Sequence, residues 1–251
     1  MLKNLILWPL SVLYGIGVSI RNRLFNLGIL KIREFDIPII CVGNITVGGT
    51  GKTPHTESLI NELKNDYRVA CLSRGYKRKT SGFVLATENS TANDIGDEPM
   101  QIKNKFPEIT VAVDADRVRG IKKLMQLPEK PEVIILDDGF QHRYVKADIN
   151  IMLIDYNRPI YEDHLLPLGR LRESIHAKDR ANYVIVTKCP EEMNPLDRRI
   201  MRKVLIEAAY QNIYFTRMEA FRPQPVFGEA PAEGFDPGTE VILMSGIGNP
   251  A

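Results

Sequence analysis

Cysteine is scarce: Cys41, Cys71 and Cys189 are the three in 251 residues. They are odd in number, far apart and never in a Cys-x-x-Cys spacing, which excludes a disulfide framework and a zinc ribbon. Cys41 and Cys71 lie in apolar runs, where cysteine behaves as a small buried hydrophobe. Such usage points to a reducing compartment. Charge of one sign is lacking too. The formal net charge is +2, so there is no global basic field of the sort duplex binding needs, and nucleic acid is not an expected partner. Any anionic partner must be met by local clusters. Internal repeats and low-complexity tracts are absent. No apolar run reaches the ~20 residues that a membrane span requires. What remains is ordinary globular composition, with 44% hydrophobic and 25% charged residues, which argues against disorder. The length suits one large α/β domain, or one domain plus part of another.

Residues 1–35 stand apart. No charge occurs between Leu5 and Ile20, Trp8 and Tyr14 lie inside that run, and Arg21, Arg23, Lys31 and Arg33 follow it. Pro9, Gly15 and Gly17 interrupt it. No small-residue cleavage site precedes the basic cluster, as a secretory signal would require. Leu13, Ile16, Ile20, Leu24 and Leu27 recur at spacings of three and four, giving an apolar stripe on one helix face. Arg21, Asn22 and Asn26 turn away from it. The pattern fits an amphipathic helix lying in a bilayer interface. A helix packed on the protein's own core and a true span are the alternatives. The basic residues after the run favour the cytoplasmic side.

From Pro38 onward the pattern alternates. Apolar runs at Ile39–Val42, Val69–Leu72, Phe83–Leu85, Thr110–Val113, Val133–Leu136, Ile149–Ile154 and Tyr183–Thr187 read as strands. Helical segments are expected over His55–Lys64, Glu98–Lys105, Arg117–Met125 and Leu196–Ala209. Continuously apolar strands alternating with helices predict a mainly parallel α/β sheet, covered by helices on both faces. Residues 36–220 form this core. The Pro- and Gly-rich stretch 221–238 reads as a linker, and 239–251 as the beginning of a second, smaller α/β domain.

The strongest chemical signal is Thr46-Val47-Gly48-Gly49-Thr50-Gly51-Lys52-Thr53. Glycines let successive backbone N–H groups turn toward phosphate oxygens. Lysine reaches the β- and γ-phosphates, and a threonine hydroxyl serves Mg²⁺. The loop follows a buried strand and opens a helix, and Pro54 suits a first turn. Thr46 stands where the general phosphate-loop pattern has glycine. The second signal is Val133 to Leu136 followed by Asp137-Asp138. Carboxylates at the end of a buried strand are what a Mg²⁺ site beside such a loop needs. A common Asp-Asp-Gly turn is the bland alternative. Gln141 and His142 follow, either as substrate contacts or as turn residues.

Two further groups are less specific alone. In Gly96-Asp97-Glu98-Pro99, Asp97 is of the type that accepts a hydroxyl proton during phosphoryl transfer, or is a routine helix N-cap. In Leu168-Gly169-Arg170-Leu171-Arg172-Glu173 an arginine would neutralise charge on a transferring phosphoryl group, or the turn is simply solvated. Arg74-Gly75-Tyr76-Lys77-Arg78-Lys79 would hold a substrate phosphate, or form a solvated hairpin.

These segments occur together and in order with Ser73-Arg74-Gly75-Tyr76, Leu166-Pro167-Leu168-Gly169-Arg170-Leu171-Arg172-Glu173 and Gly246-Ile247-Gly248-Asn249-Pro250. As a set they resemble the tetraacyldisaccharide 4′-kinases, the lipid A kinases of Gram-negative bacteria. The resemblance implies transfer of the γ-phosphate of ATP to the 4′-hydroxyl of a lipid A disaccharide 1-phosphate precursor, forming lipid IVA. It also implies a monotopic protein on the cytoplasmic face of the inner membrane. Lys52 and Thr53 match the family's phosphate and Mg²⁺ contacts, and Thr46 is the residue the family carries there. Asp97 matches the catalytic base, and Asp137 and Asp138 the Walker-B-like acids. Arg172 and Glu173 match a charged pair near metal and phosphates. Arg74, Tyr76, Gln141, His142 and Arg170 are candidate substrate contacts. The family pattern continues past the Gly-Ile-Gly-Asn-Pro motif into a Phe-x-Asp-His-His-like segment. None of His55, His142, His164 or His176 lies in that context, so the chain reads as a partial one. An ATPase or GTPase acting on a protein is a competing class. Thr187-Lys188-Cys189-Pro190 only partly echoes a guanine-reading Asn-Lys-x-Asp run. A non-catalytic nucleotide-binding membrane adaptor is another.

Overall fold

The computed structural model describes residues 2–219, with side chains from residue 6 onward. The predicted linker and second-domain segment lie outside the described residues. Eight strands form one sheet: β1 (Ile39–Gly43), β2 (Val69–Ser73), β3 (Val84–Leu85), β4 (Thr110–Val113), β5 (Val133–Asp137), β6 (Ile149–Asp155), β7 (Tyr183–Thr187) and β8 (Asn212–Phe215). Their order is β3-β4-β2-β5-β1-β6-β7-β8. All neighbours pair in parallel except β3, which runs antiparallel to β4 at one edge.

Strand side chains alternate between the two faces, and two cores result. Ile39, Cys41, Ala70, Leu72, Ile134 and Leu136 point to one face. There they meet Ile121 and Leu124 of α5 (Arg117–Leu124) and Met201 and Leu205 of α6 (Pro195–Leu205). Ile40, Val42, Cys71 and Ile135 point to the other face, against Ile60 of α2 (Lys52–Leu63) and Ile102 of α4 (Asp97–Lys105). Burial on both sides explains why these strands read as unbroken apolar runs. Three elements depart from the sequence expectation. The last helix stops at Leu205 instead of Ala209, and strand β8 follows it. β8 is an edge strand whose Asn212 and Tyr214 are exposed, so it lacks the continuous apolar signature. The short α3 (Ala92–Ile95), closed by a Thr91–Asp94 capping box, was also not anticipated.

Helix α1 (Leu2–Asn26) runs through Pro9 without ending. Among the described residues no helix is long and apolar enough to cross a membrane. The helix docks with its polar side. Ser11 Oγ donates to Leu165 O at 2.8 Å, Tyr14 OH to Arg172 O at 2.9 Å, and Arg21 to Gln141 O at 3.0 Å. Gly15 lets the Leu165 side chain pack onto the helix backbone, since a Cβ there would sit 2.8 Å from Leu165 Cδ1. Phe25 is buried edge-on against Tyr144, with the Arg21 and Arg143 guanidiniums over its ring. The predicted stripe faces outward: Leu13, Ile16, Ile20 and Leu27 are each more than half exposed, as are Ile6 and Trp8. Among the described residues nothing covers this stripe, and Arg21, Asn22 and Asn26 turn toward the protein body.

Candidate phosphate-loop site

Register builds the site. β1 lies between β5 and β6, with Val42 opposite Asp137 and Gly43 opposite Met152. The chain leaving β1 thus emerges beside the acidic end of β5. A carbon on Gly43 would lie 2.7 Å from Phe140 Cβ, so glycine is required where the two strand ends crowd. The loop from Thr46 to Thr53 then turns into α2. Gly48 and Gly51 take φ of +113° and +82°, backbone that suits glycine alone.

Loop and acids meet. Lys52 Nζ stands 3.7 Å from Asp138 Oδ1, and Arg172 Nη1 reaches Asp138 Oδ2 at 3.3 Å. Asp138 itself holds a left-handed backbone, φ +49°, which turns its side chain across the strand end. Asp137 is buried and accepts from Thr56 Oγ1 of α2 at 3.1 Å. Burial, then the charges of Glu98 and Asp138, push its carboxyl up to about 6. Acidic groups crowded in low dielectric are primed for a cation. Magnesium needs few protein ligands because it keeps waters. Thr53 with Asp137 or Asp138 fits that demand, although no group of three or more His, Cys, Asp and Glu is poised for a metal among the described residues.

The segment before Glu173 is extended. Thr46 bridges Leu171 in antiparallel fashion, Val47 N donates to Arg170 O at 2.8 Å, and Arg172 N donates to Ile45 O at 2.7 Å. Alternation sends Arg172 toward Asp138 and Gln141 Oε1. The Arg170 side chain is exposed. Thr46 and Thr50 are buried beneath the loop, both in contact with the Asn44 amide. Val47 is exposed at the rim.

Glu173, expected beside the metal, has protein partners in this structure. Its buried carboxylate is committed to Asn22 Nδ2 at 3.0 Å and to Arg180 at 2.9 and 3.1 Å. It fastens α1 to the segment beside the phosphate loop. Asp97 is the first residue of α4, and Gly96 occupies the cap position, so the N-cap alternative for Asp97 fails. The Asp97 side chain is exposed and has no hydrogen-bond partner among the described residues. His142 Nε2 accepts the Arg117 N–H at 3.4 Å. Burial, then the charges of Arg117, Arg21 and Arg74, hold the imidazole down at about 4, after a partly opposing pull from Asp116. It is neutral at pH 7. Arg117, buried, donates to Asp114 O at 2.6 Å and Asp137 O at 3.3 Å. Arg74 and Tyr76 stay exposed in the turn after β2, whereas Arg78 is structural, donating to Val113 O and Gly82 O. Sequence reading missed Asn22, Asn44, Arg117 and Arg180, because single polar residues far apart in the chain carry no local pattern.

A family model described as tetraacyldisaccharide-1-P 4′-kinase matches residues 3–251. The chain belongs to this family. A relative from Parabacteroides distasonis, named tetraacyldisaccharide 4′-kinase, is 56% identical over 254 residues, covering 99% of this chain and 69% of its own length. The same name is carried by a Bacteroides thetaiotaomicron relative, 49% identical over 98% of this chain and 67% of its own length. The crystal structure of LpxK from Aquifex aeolicus in complex with ATP is 40% identical, with a TM-score of 0.68, and the match covers 74% of this chain and 59% of that one. The chain thus spans about two thirds of the length of these family members.

Proposed function

We propose that this chain is the ATP-binding and phosphoryl-transfer part of a lipid A 4′-kinase, acting at a membrane surface. The observation that carries this reading is the register of Val42 with Asp137, which sets the Lys52 ammonium 3.7 Å from Asp138. A phosphate loop and a metal-binding acid at that distance belong to one triphosphate site.

The loop N–H groups and Lys52 hold the β- and γ-phosphates. Thr53 and Asp137 or Asp138 would hold magnesium, which would supply neutralisation of the phosphate charge. Asp97, at the start of α4, accepts the proton of the sugar 4′-hydroxyl. The 4′-oxygen bonds to the γ-phosphorus as the bond from that phosphorus to the β-phosphate oxygen breaks, and ADP departs. Arg172 stabilises negative charge on the group in transit. Asp138, paired with both Lys52 and Arg172, keeps the two cations extended until phosphate replaces it. The outward apolar stripe of α1 rests in the bilayer interface, where the acyl chains of a tetraacyldisaccharide 1-phosphate reside. In this reading the protein sits peripherally on the cytoplasmic face of the inner membrane, a side that the basic residues after the apolar run support. Arg74, Tyr76, Gln141, His142 and Arg170 are the substrate-side contacts in this reading.

Labelled ATP should pass its γ-phosphate to tetraacyldisaccharide 1-phosphate in detergent micelles, with little free phosphate released when lipid is omitted. Asp97→Ala should keep ATP binding and lose transfer by about 100-fold or more, the scale of a general base. Equal hydrolysis with and without lipid would refute the kinase reading.

A further inference from the structure

Three successive carbonyls of the phosphate loop are tied down from behind. Lys188 Nζ donates to Gly49 O at 2.6 Å. Thr187 Oγ1 donates to Thr50 O at 3.0 Å. His55 Nδ1 lies 2.8 Å from Gly51 O; a carbonyl only accepts, so Nδ1 is the donor. The anchors come from the end of β7 and the first turn of α2. Lys188 is itself held by Asp155 Oδ2 at 2.9 Å, a buried carboxylate that also binds Arg158 at 2.8 Å. Lys188 adopts φ +58°, an uncommon conformation for a lysine, and this folds its side chain back over the loop.

Peptide planarity turns this into a statement about the opposite side. In a trans peptide the N–H of each residue points away from the preceding C=O. Fixing Gly49 O, Thr50 O and Gly51 O therefore fixes the N–H directions of Thr50, Gly51 and Lys52. Among the described residues these three N–H groups donate to no backbone acceptor. They form a concave set of free donors, the geometry that cradles an anion. Glycine-rich backbone is otherwise free to flip its peptide planes, so the aim of the donors depends on what grips the carbonyls.

We infer that Lys188 and Thr187 are positioning residues for the triphosphate, holding the loop's N–H groups aimed at the β- and γ-phosphates before nucleotide arrives. Neither needs to touch the nucleotide. This explains why a Thr-Lys pair closes β7 without the acidic residue that reads guanine: its task is at the loop. The inference rests on the nucleotide-binding reading above.

The test uses the full 251-residue chain and calorimetric titration with ATP·Mg²⁺ and with AMP. Lys188→Met keeps the aliphatic stem and removes the donor; Thr187→Val is near-isosteric. Lys188→Met should weaken ATP about tenfold, the scale of one charge-assisted hydrogen bond, and Thr187→Val severalfold. AMP, lacking β- and γ-phosphates, should bind each variant within about twofold of the parent, and the thermal midpoints should stay close to the parent's. Parent-like ATP affinity in both variants overturns the inference. So does an equal loss of ATP and AMP, or a loss that tracks a fall in thermal midpoint, since either marks a merely structural role. Failure of the parent chain to bind ATP would instead bring down the nucleotide reading itself.

Discussion

Replacing Arg180 with methionine should damage the protein far more than its partly exposed position suggests. Arg180 donates to both oxygens of Glu173 at 2.9 and 3.1 Å and to Phe140 O at 3.3 Å. Its guanidinium also stacks on the Phe140 ring at 4.8 Å. Glu173 has a side chain only 2% exposed, against 25% for Arg180. Arg180→Met leaves that carboxylate buried with Asn22 as its single partner. Breaking a buried pair on one side costs ~3–5 kcal/mol, and the partial exposure of Arg180 puts the value near the lower end, about 3 kcal/mol. For a protein of this size that is a fall of about 6–12 °C in thermal midpoint. Glu173→Gln in the same background removes the stranded charge and should recover most of the loss, because amide and Asn22 can still hydrogen-bond. A double-mutant cycle followed by circular dichroism measures the coupling. Glu173→Gln alone should leave ATP·Mg²⁺ affinity within a few-fold. A cost for Arg180→Met below about 1 kcal/mol, the scale of a surface pair, would refute the argument. Loss of magnesium-dependent binding in a well-folded Glu173→Gln protein would restore the metal role.

Two other outcomes follow from the same geometry. His142 is held at about 4 in the folded chain, below its unfolded value near 6.5. Its contribution to stability is therefore intact above pH 6.5 and lost progressively as pH falls toward 4. Thermal midpoints at pH 7 and pH 5 should differ less in His142→Gln than in the parent, and an unchanged difference would contradict the assignment. Replacing both Ile16 and Ile20 with Asp should abolish sedimentation with anionic lipid vesicles while leaving the thermal midpoint nearly unchanged, since both side chains are more than half exposed. Undiminished vesicle binding would remove α1 from the membrane contact.

The strands were legible because two-sided burial writes itself as apolar runs, and the loop was legible because phosphate geometry demands glycines followed by Lys52 and Thr53 at fixed spacing. β8 escaped because an edge strand with exposed Asn212 and Tyr214 need not be apolar. α1 was half legible. Its stripe was visible, but periodicity alone does not say which side of an amphipathic helix meets the protein.

By itself the sequence determined the local chemistry: a phosphate loop, an acidic strand end, and an N-terminal helix with one apolar face. These depend on residue type and short spacing, which neighbouring positions carry. Tertiary structure alone decided that Glu173 grips Arg180 and Asn22, that His142 is neutral against Arg117, and that Lys188 holds the loop from behind. Apart from Glu173 and Arg180, seven residues from each other, these partners are distant in the chain, and their meeting is set by strand order and register, which no local pattern encodes.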